Sequence, residues 1–393
     1  MKKILFDLTK TQPMNGTKFH GGAKYGIAIF KKLVDIAPDK IAAYYDDSIY
    51  IDESVIKLCH SKNIIMEKKR DASILSISRK YGNILYSPLI DSTYLTDDSF
   101  HIIVTIHGLR VLELPFDEYE IYYRKFPLKR VKIIQSIYKF FLKRKRKKNY
   151  ICDLQYQKKS LTKSNISFVT VSNHSKYSLL TFIPQIKAND IQVFFSPSTI
   201  DDSIRVKEKS NIAEKYYLIV SGNRWIKNSV RAIIALDELF TEHPEISGIV
   251  IVTGIKQKSD LTINIKNPNR FVFVGYVDET KLTELYHNAY LFIYPSLNEG
   301  FGYPPLEAMH EGCPVIASAI ASIPEICGNA VLYFNPYSID EIKMRILQME
   351  NKSIRSEYIK KGFERESYIR SKQDEDLEKM AHYILSFLNN TEH

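Results

Sequence analysis

Short apolar runs recur along the chain, each closed by a polar or Gly-rich stretch. They stand at residues 3–8, 41–45, 64–66, 84–86, 102–106 and 168–171, and again at 216–220, 248–252, 271–274, 291–294 and 314–317. Continuous apolar runs of this length read as strands buried on both faces, as in a parallel sheet. Between several of them the apolar period changes to that of a helix. Tyr25, Ala28, Ile29, Leu33 and Ile36 form one stripe, and Val230, Ile233, Ile234, Leu236 and Leu239 another. Leu377, Met380, Ala381, Ile384 and Leu388 form a third near the end. Strands alternating with helices predict an α/β architecture. A polar, charged stretch at 196–210, with Pro197, Asp201 and Asp202, reads as a linker between two such sets. A chain of 393 residues also exceeds a single core, which points to two domains.

The densest chemistry lies at residues 291–324. An apolar strand runs into a turn that holds Glu299, Gly300, Phe301 and Gly302. Pro304 and Pro305 follow where a helix should begin, because proline suits the first helical turn. Glu307 is placed in that first turn, and Gly312 is placed to end the helix. A second apolar strand completes a strand–turn–helix–strand unit. Ligands of such sheets bind at the C-terminal ends of the strands. Amides at a helix N-terminus, with glycines that permit close approach, make an anion site. Glu299 and Glu307 flank it and could accept hydrogen bonds from the hydroxyls of a sugar or ribose. An ordinary turn, with a solvated Glu299 and a dipole-favoured Glu307, fits the spacing as well.

Three other strand ends carry candidates. Gly222, Asn223, Arg224, Trp225, Ile226, Lys227 and Asn228 separate the strand at 216–220 from a helix. A Gly turn with Arg and Lys before a helix makes a second phosphate site, or a surface pair on a turn. His107-Gly108 closes the strand at 102–106, at the ligand edge or as a hydrogen-bonded turn. Gly21-Gly22 ends the polar turn after the first strand and could bring backbone close to a ligand, though most such turns are structural.

Charge adds a partner. The formal net charge is +10, which favours anionic partners. Residues 124–148 concentrate it: Arg124, Lys125, Lys129, Arg130, Lys132, Lys139 and an unbroken basic run at 143–148, with no acid among them. Val131, Ile134, Ile137, Tyr138 and Phe141 recur there at helical spacing. A basic amphipathic helix suits an anionic membrane surface, or else covers the core with its apolar face. No recognition motif accompanies the charge, so nucleic acid is not expected. Cys59, Cys152, Cys313 and Cys327 lack metal-ligand spacing and read as reduced thiols. Asp374 and Asp376 do not share a helix face, so they read as a solvated helix start rather than a metal pair. No metal is expected. With no signal-peptide pattern and no apolar stretch long enough to span a bilayer, the expected place is the cytoplasm, including the cytoplasmic face of the membrane.

EGFGYPPLEAM resembles the Glu-x7-Glu motif of the retaining glycosyltransferases of family GT4, glycosyl transferases group 1, which have the GT-B fold. VTIHGL resembles that family's strand-end His motif, with Gly108 where an Asp is usual. The Gly222 turn resembles its Gly-Arg…Lys-Asn motif, with Asn223 where Arg is usual and a shorter loop, so that Arg224 takes over. The resemblance implies two Rossmann-like domains facing across a cleft. These are a 1–200 acceptor domain that includes the basic segment 124–148, and a 201–372 nucleotide-sugar donor domain. A C-terminal helix at 373–393 is expected to cross back to the first. The implied reaction moves a hexose or deoxyhexose, with retention, from a UDP- or GDP-linked donor to a hydroxyl of a glycan or lipid-linked acceptor. No cofactor beyond the donor is implied, and surface-polysaccharide assembly is the expected setting. Glu307 is expected on the ribose, and Glu299 with Gly300, Phe301 and Gly302 on the sugar. Arg224 and Lys227, beside Gly222 and Asn223, would hold the leaving diphosphate. His107 would lie near the transferred sugar, Tyr276 and Val277 on the base, and Gly21 and Gly22 at the phosphates and acceptor. The alternatives are a GT-B sugar-nucleotide epimerase, or a non-catalytic membrane or nucleic-acid-binding protein that uses the basic helix.

Overall fold

The computed structural model describes residues 2–13, 21–91, 94, 99–124, 131–163, 165–202 and 215–389. They form two parallel sheets. The first contains β1 (Ile4–Asp7), β2 (Ile41–Tyr45), β3 (Ile65–Lys68), β4 (Ile84–Ser87), β5 (His101–Ile106), β6 (Ile166–Thr170) and β7 (Ile191–Val193). Its order is β3-β2-β1-β4-β5-β6-β7, so the winding reverses between β1 and β4. The second contains β8 (Tyr216–Ile219), β9 (Ile249–Thr253), β10 (Phe271–Gly275), β11 (Leu291–Tyr294), β12 (Val315–Ser318) and β13 (Leu332–Phe334). Its order is β10-β9-β8-β11-β12-β13, with the reversal between β8 and β11. The central strands β1, β4, β8, β11 and β12 are buried along their whole length, which is why their sequences show no polar alternation and carry polar residues only at their C-terminal ends, Asp7, Ser87 and Ser318. Every strand read from the apolar runs is present. The runs missed β7 and β13, each three residues long and only partly buried.

Helices cover the sheets: α1 (Gly21–Ile36), α2 (Glu53–Ser61), α3 (Ile74–Lys80), α4 (Arg110–Glu113), α5 (Val131–Leu161), α6 (Asn173–Phe182), α7 (Ser229–Glu242), α8 (Glu279–Asn288), α9 (Tyr303–His310), α10 (Ile323–Cys327), α11 (Ile339–Glu350) and α12 (Lys352–Ser386). Their ends follow local chemistry. The Ser172 hydroxyl caps α6 by accepting from the Ser175 amide at 3.2 Å. Gly312, with φ +71°, stops α9 as its position predicted.

By packing, the chain divides into two units. One comprises Met1–Leu109, Asp153–Thr199 and Arg370–His393; the other comprises Arg110–Cys152 and Ile200–Ile369. The last helix does not begin near residue 373. It is a 35-residue helix that starts at Lys352. Asp374 and Asp376 are therefore mid-helix, and the solvated-start reading is corrected for Asp376. That carboxylate is 3% exposed and accepts from the Phe195 amide and the Lys372 ammonium, both at 2.9 Å. Ser196, expected in the linker, is likewise buried, its carbonyl accepting from the Gln373 side chain. Positions 203–210 of that linker lie outside the described residues.

The basic segment is one continuous helix, α5, 31 residues long. Lys125, Lys129 and Arg130 lie outside the described residues. Ile137, Phe140 and Phe141 are 57%, 58% and 61% exposed, so the described part of the apolar face does not cover the core at those positions. Leu142 does turn inward. No helix among the described residues is long and apolar enough to cross a membrane.

Candidate active site

The second unit places two loops side by side at the point where its winding reverses. The first loop leaves β8. The Gly222 amide donates to the Thr253 carbonyl at 2.7 Å, and a Cβ at Gly222 would stand 2.8 Å from Val252 and 2.9 Å from Ile255. Only glycine lets the loop lie this close to β9. A single 3-10 turn, Trp225–Lys227, then leads to Asn228, which is left-handed at φ +55° and heads α7. The Asn228 side-chain amide donates to the carbonyls of Pro295 at 3.0 Å and Pro336 at 2.7 Å. The second loop leaves β11. Its Leu297 amide donates to the Ile226 carbonyl at 2.8 Å, and the Ser296 hydroxyl oxygen lies 3.2 Å from the same carbonyl. The Ser322 hydroxyl, just before α10, donates to the carbonyls of Glu299 at 2.9 Å and Phe301 at 2.8 Å. Gly302, at φ +110°, then turns the chain into α9. Such a value strains any residue with a Cβ.

Lys227 and Glu299 meet across these loops. Lys227 Nζ lies 2.5 Å from Glu299 Oε1, and the Ser296 hydroxyl donates to the same oxygen at 2.5 Å. Both side chains are buried, and the ammonium stands 5.5 Å from the centroid of the Tyr294 ring. Burial lowers the Lys227 pKa. Glu299 opposes that, while the charges of Arg224 and Arg110 reinforce it, and the net shift is downward. Burial would raise the Glu299 carboxyl. The Lys227 charge outweighs it, with hydrogen bonds from Lys227 and Ser296, so the carboxyl sits below its ordinary value. The result is an ionised carboxylate on a lysine crowded by two further cations.

The other expected residues are spread around this pair. Arg224 and Asn223 are exposed on the first loop. Pro304 and Pro305 bring no N–H to the start of α9, so amide donation there rests with Phe301, Gly302 and Tyr303. Glu307 is not in the first turn of α9. The helix starts at Tyr303, so Glu307 is its fifth residue. It is half-buried beside the Tyr286 hydroxyl of α8, whose ionisation is suppressed first by burial and then by the Glu307 charge. Tyr276 is 81% exposed at the end of the edge strand β10, with Val277 half-buried behind it. In the first unit, His107 follows β5. Its Nε2 lies 3.0 Å from the Pro88 carbonyl, and since a carbonyl only accepts, Nε2 carries the proton. The Tyr25 ring meets the His107 ring edge-on at 4.7 Å. Gly21 and Gly22 do not form a turn; they are the first two residues of α1, one turn before Tyr25.

Sequence reasoning missed a buried cluster behind the first loop. Asp117 accepts from Arg231 at 2.9 and 2.6 Å and from Trp225 Nε1 at 2.7 Å. Burial would raise the Asp117 carboxyl, but the Arg231 hydrogen bonds and charge hold it below the ordinary range. A charge beside an apolar stripe is common on a surface helix, so Arg231 carried no signal, and Asp117 is 114 positions away.

Comparisons with known proteins agree with this architecture. Residues 201–365 match the family described as Glycosyl transferases group 1. The O-antigen chain mannosyltransferase B of Escherichia coli is 29% identical over 209 residues, covering 50% of this chain and 55% of that protein. The chain spans about half the length of the curated relatives it matches. Among solved structures, a glycosyltransferase from Rickettsia africae superposes with a TM-score of 0.64 at 16% identity, covering 99% of this chain and 100% of that one. Anabaena HepE, solved with UDP and glucose, gives 0.61 at 14% identity, covering 98% and 100%. At such identities the likeness to solved structures concerns the fold alone. Residues 201–365 therefore belong to the glycosyl transferases group 1, and the chain that carries them has the GT-B fold.

Proposed function

We propose that this chain is a retaining glycosyltransferase. It moves a hexose or deoxyhexose from a UDP- or GDP-linked sugar to a hydroxyl of a glycan or lipid-linked acceptor, in the assembly of a surface polysaccharide. The observation that carries the reading is the buried Lys227–Glu299 pair, set at the switch point of a parallel sheet. A carboxylate that already neutralises a lysine can exchange that cation for sugar hydroxyls when a diphosphate arrives. Lys227, with exposed Arg224, then faces the phosphate oxygens. As the glycosidic bond breaks, charge grows on the diphosphate and the sugar becomes oxocarbenium-like. The departing oxygen takes the acceptor proton on the same face, so no carboxylate nucleophile is required. Positive side chains do the neutralising, and no metal is assigned to the step. Glu307 takes the ribose hydroxyls, and Tyr276 and Val277 pack on the base. His107, with Gly21 and Gly22, serves the sugar and acceptor side. The O-antigen mannosyltransferase relative supports the polysaccharide setting.

The test is a thermal-shift screen against UDP, GDP and ADP and their sugars, in EDTA. A ligand that binds only the native state raises the melting temperature, by about 2.7 kcal/mol of stability at a hundredfold excess over its Kd. One selected nucleotide names the base. No shift with any of them removes the donor-site reading.

We further assign α5 to an anionic membrane surface. Lys139 and the run 143–148 stand on the same helix as the exposed Ile137, Phe140 and Phe141. The full chain should sediment with vesicles containing phosphatidylglycerol, not with neutral ones, and added salt should release it. Equal binding to both kinds of vesicle contradicts the assignment.

A further inference from the structure

Residues 110–124 follow His107 in sequence, yet they pack within the second unit against both of its ligand loops. On α4, the Glu113 carboxylate accepts from the side-chain amide of Asn298, the neighbour of Glu299. Four residues on, Asp117 is 4% exposed and takes Trp225 Nε1 and both terminal nitrogens of Arg231. Arg231 also donates to Asn228 Oδ1 at 2.9 Å, and its guanidinium lies 3.7 Å from the centroid of the Tyr119 ring. The Tyr123 hydroxyl accepts from the Val230 amide at 2.9 Å, satisfying one of the open N–H groups at the start of α7. Thr262 closes the far end, its amide donating to the Tyr122 carbonyl at 2.8 Å and its hydroxyl to the Arg124 carbonyl at 2.5 Å. This strap therefore holds Trp225, two residues before Lys227, and Asn228, one residue after it. It also holds Asn298 beside Glu299.

We propose that Asp117 is a positioning residue for the donor-phosphate loop, and that the strap 110–124 sets the Lys227–Glu299 pair for a nucleoside-diphosphate sugar. The inference rests on the donor-site reading above. Stability alone is a weak reason for such a cluster, because a buried ion pair replaced by packed apolar groups often costs nothing. Fixed geometry is the better reason. The Trp225–Lys227 turn is short, and Asn228, left-handed, is anchored by its side chain to the Pro295 and Pro336 carbonyls and to Arg231. The Lys227 side chain must change partners during the reaction while its backbone stays in place. A displacement of about 1 Å at such a group costs roughly a hundredfold in rate.

Trp225 is the one tryptophan in the chain, so its emission reports the clamp directly. Wild type, Asp117→Asn and Trp225→Phe are compared by emission where tryptophan remains, by calorimetry with UDP and GDP, and by turnover with UDP-glucose and GDP-mannose. Asp117→Asn should shift the emission and lower the turnover of the donor sugar, read as its hydrolysis, about a hundredfold, with the donor KM changed little. Trp225→Phe keeps an aromatic ring near the Arg146 guanidinium, 4.4 Å from the indole in the native chain, and loses the N–H with part of the indole. It should lower kcat about tenfold, and it carries the test if Asp117→Asn fails to fold. Wild-type kcat in either variant overturns the inference, as does an unchanged emission in Asp117→Asn. If wild type binds neither UDP nor GDP, the donor-site reading falls first and takes this inference with it. Nucleotide binding with unaltered variant rates defeats the inference alone.

Discussion

Lys227→Met should lose nearly all turnover while still binding the donor nucleotide. In the proposed reaction Lys227 neutralises the leaving diphosphate, and its buried ammonium is held by Glu299 and the Tyr294 ring before substrate arrives. Removing one such preorganised group typically costs about a hundredfold to a thousandfold in kcat. Methionine is unbranched, only one atom shorter, and accepts burial, so most of the packing is conserved. The Glu299 charge is not. Without Lys227 that carboxylate is buried beside Ser296 and Tyr294 only, and burial then dominates and raises its pKa. An unpaired buried charge costs about 3–5 kcal/mol, so the single variant should melt well below wild type. The double variant Lys227→Met, Glu299→Gln should regain most of the melting temperature and none of the activity. Single-turnover kinetics beside a melting curve separates the two effects. A wild-type rate in a folded Lys227→Met protein removes Lys227 from the leaving-group role.

Glu307→Ala should act on binding rather than chemistry. Its assigned partners are ribose hydroxyls, which keep the same charge in ground and transition states. Lost hydrogen bonds to a charged group are worth about 1.5–3 kcal/mol, so the Kd for the nucleoside diphosphate should rise about tenfold to a hundredfold. The rate at saturating donor should change little. Tyr286→Phe is the matching control, because its hydroxyl stands beside the Glu307 carboxylate. If that hydroxyl merely orients Glu307, its loss should cost only a few fold. Calorimetry decides: an affinity unchanged in Glu307→Ala excludes the ribose role.

Much of the fold was legible because parallel sheets leave a strong trace. β1, β4, β8 and β11 are buried on both faces; β8 and β11 are unbroken apolar runs, and β1 and β4 are apolar up to their last residues, Asp7 and Ser87. β7 and β13 sit at sheet edges, are three residues long and are only partly buried. Apolar stretches do mark both, at 191–195 with Gln192 inside and at 330–334, and the reading from apolar runs passes them over. Helix starts were read less well. Gly21 and Gly22 looked like a turn because two glycines weaken a helix, yet α1 begins there. Asp376 reads as solvated from sequence because the last apolar stripe starts at Leu377, whereas the helix begins at Lys352 with charged positions. In the site, Lys227 and Glu299 were each marked by a Gly turn at a strand end. Their contact was not marked, since 72 positions separate them and only the strand order brings β8 beside β11. Asp117 left no trace. A buried carboxylate in a polar stretch looks like a solvated one until Arg231 is found beside it.

The divided build of the first unit bears on the order in which the chain can fold. Met380, Ala381 and Ile384 of α12 are buried in that unit, and the Tyr25 hydroxyl of α1 donates to the Met380 sulfur at 3.4 Å. These residues leave the ribosome only after all of residues 215–369. Domains generally fold as units during synthesis, the N-terminal one first. Here the N-terminal sheet must wait with an uncovered apolar face while the second unit is made and folds. The second unit is therefore the one able to close first, and the last helical turns of the chain seal the part that was synthesised earliest.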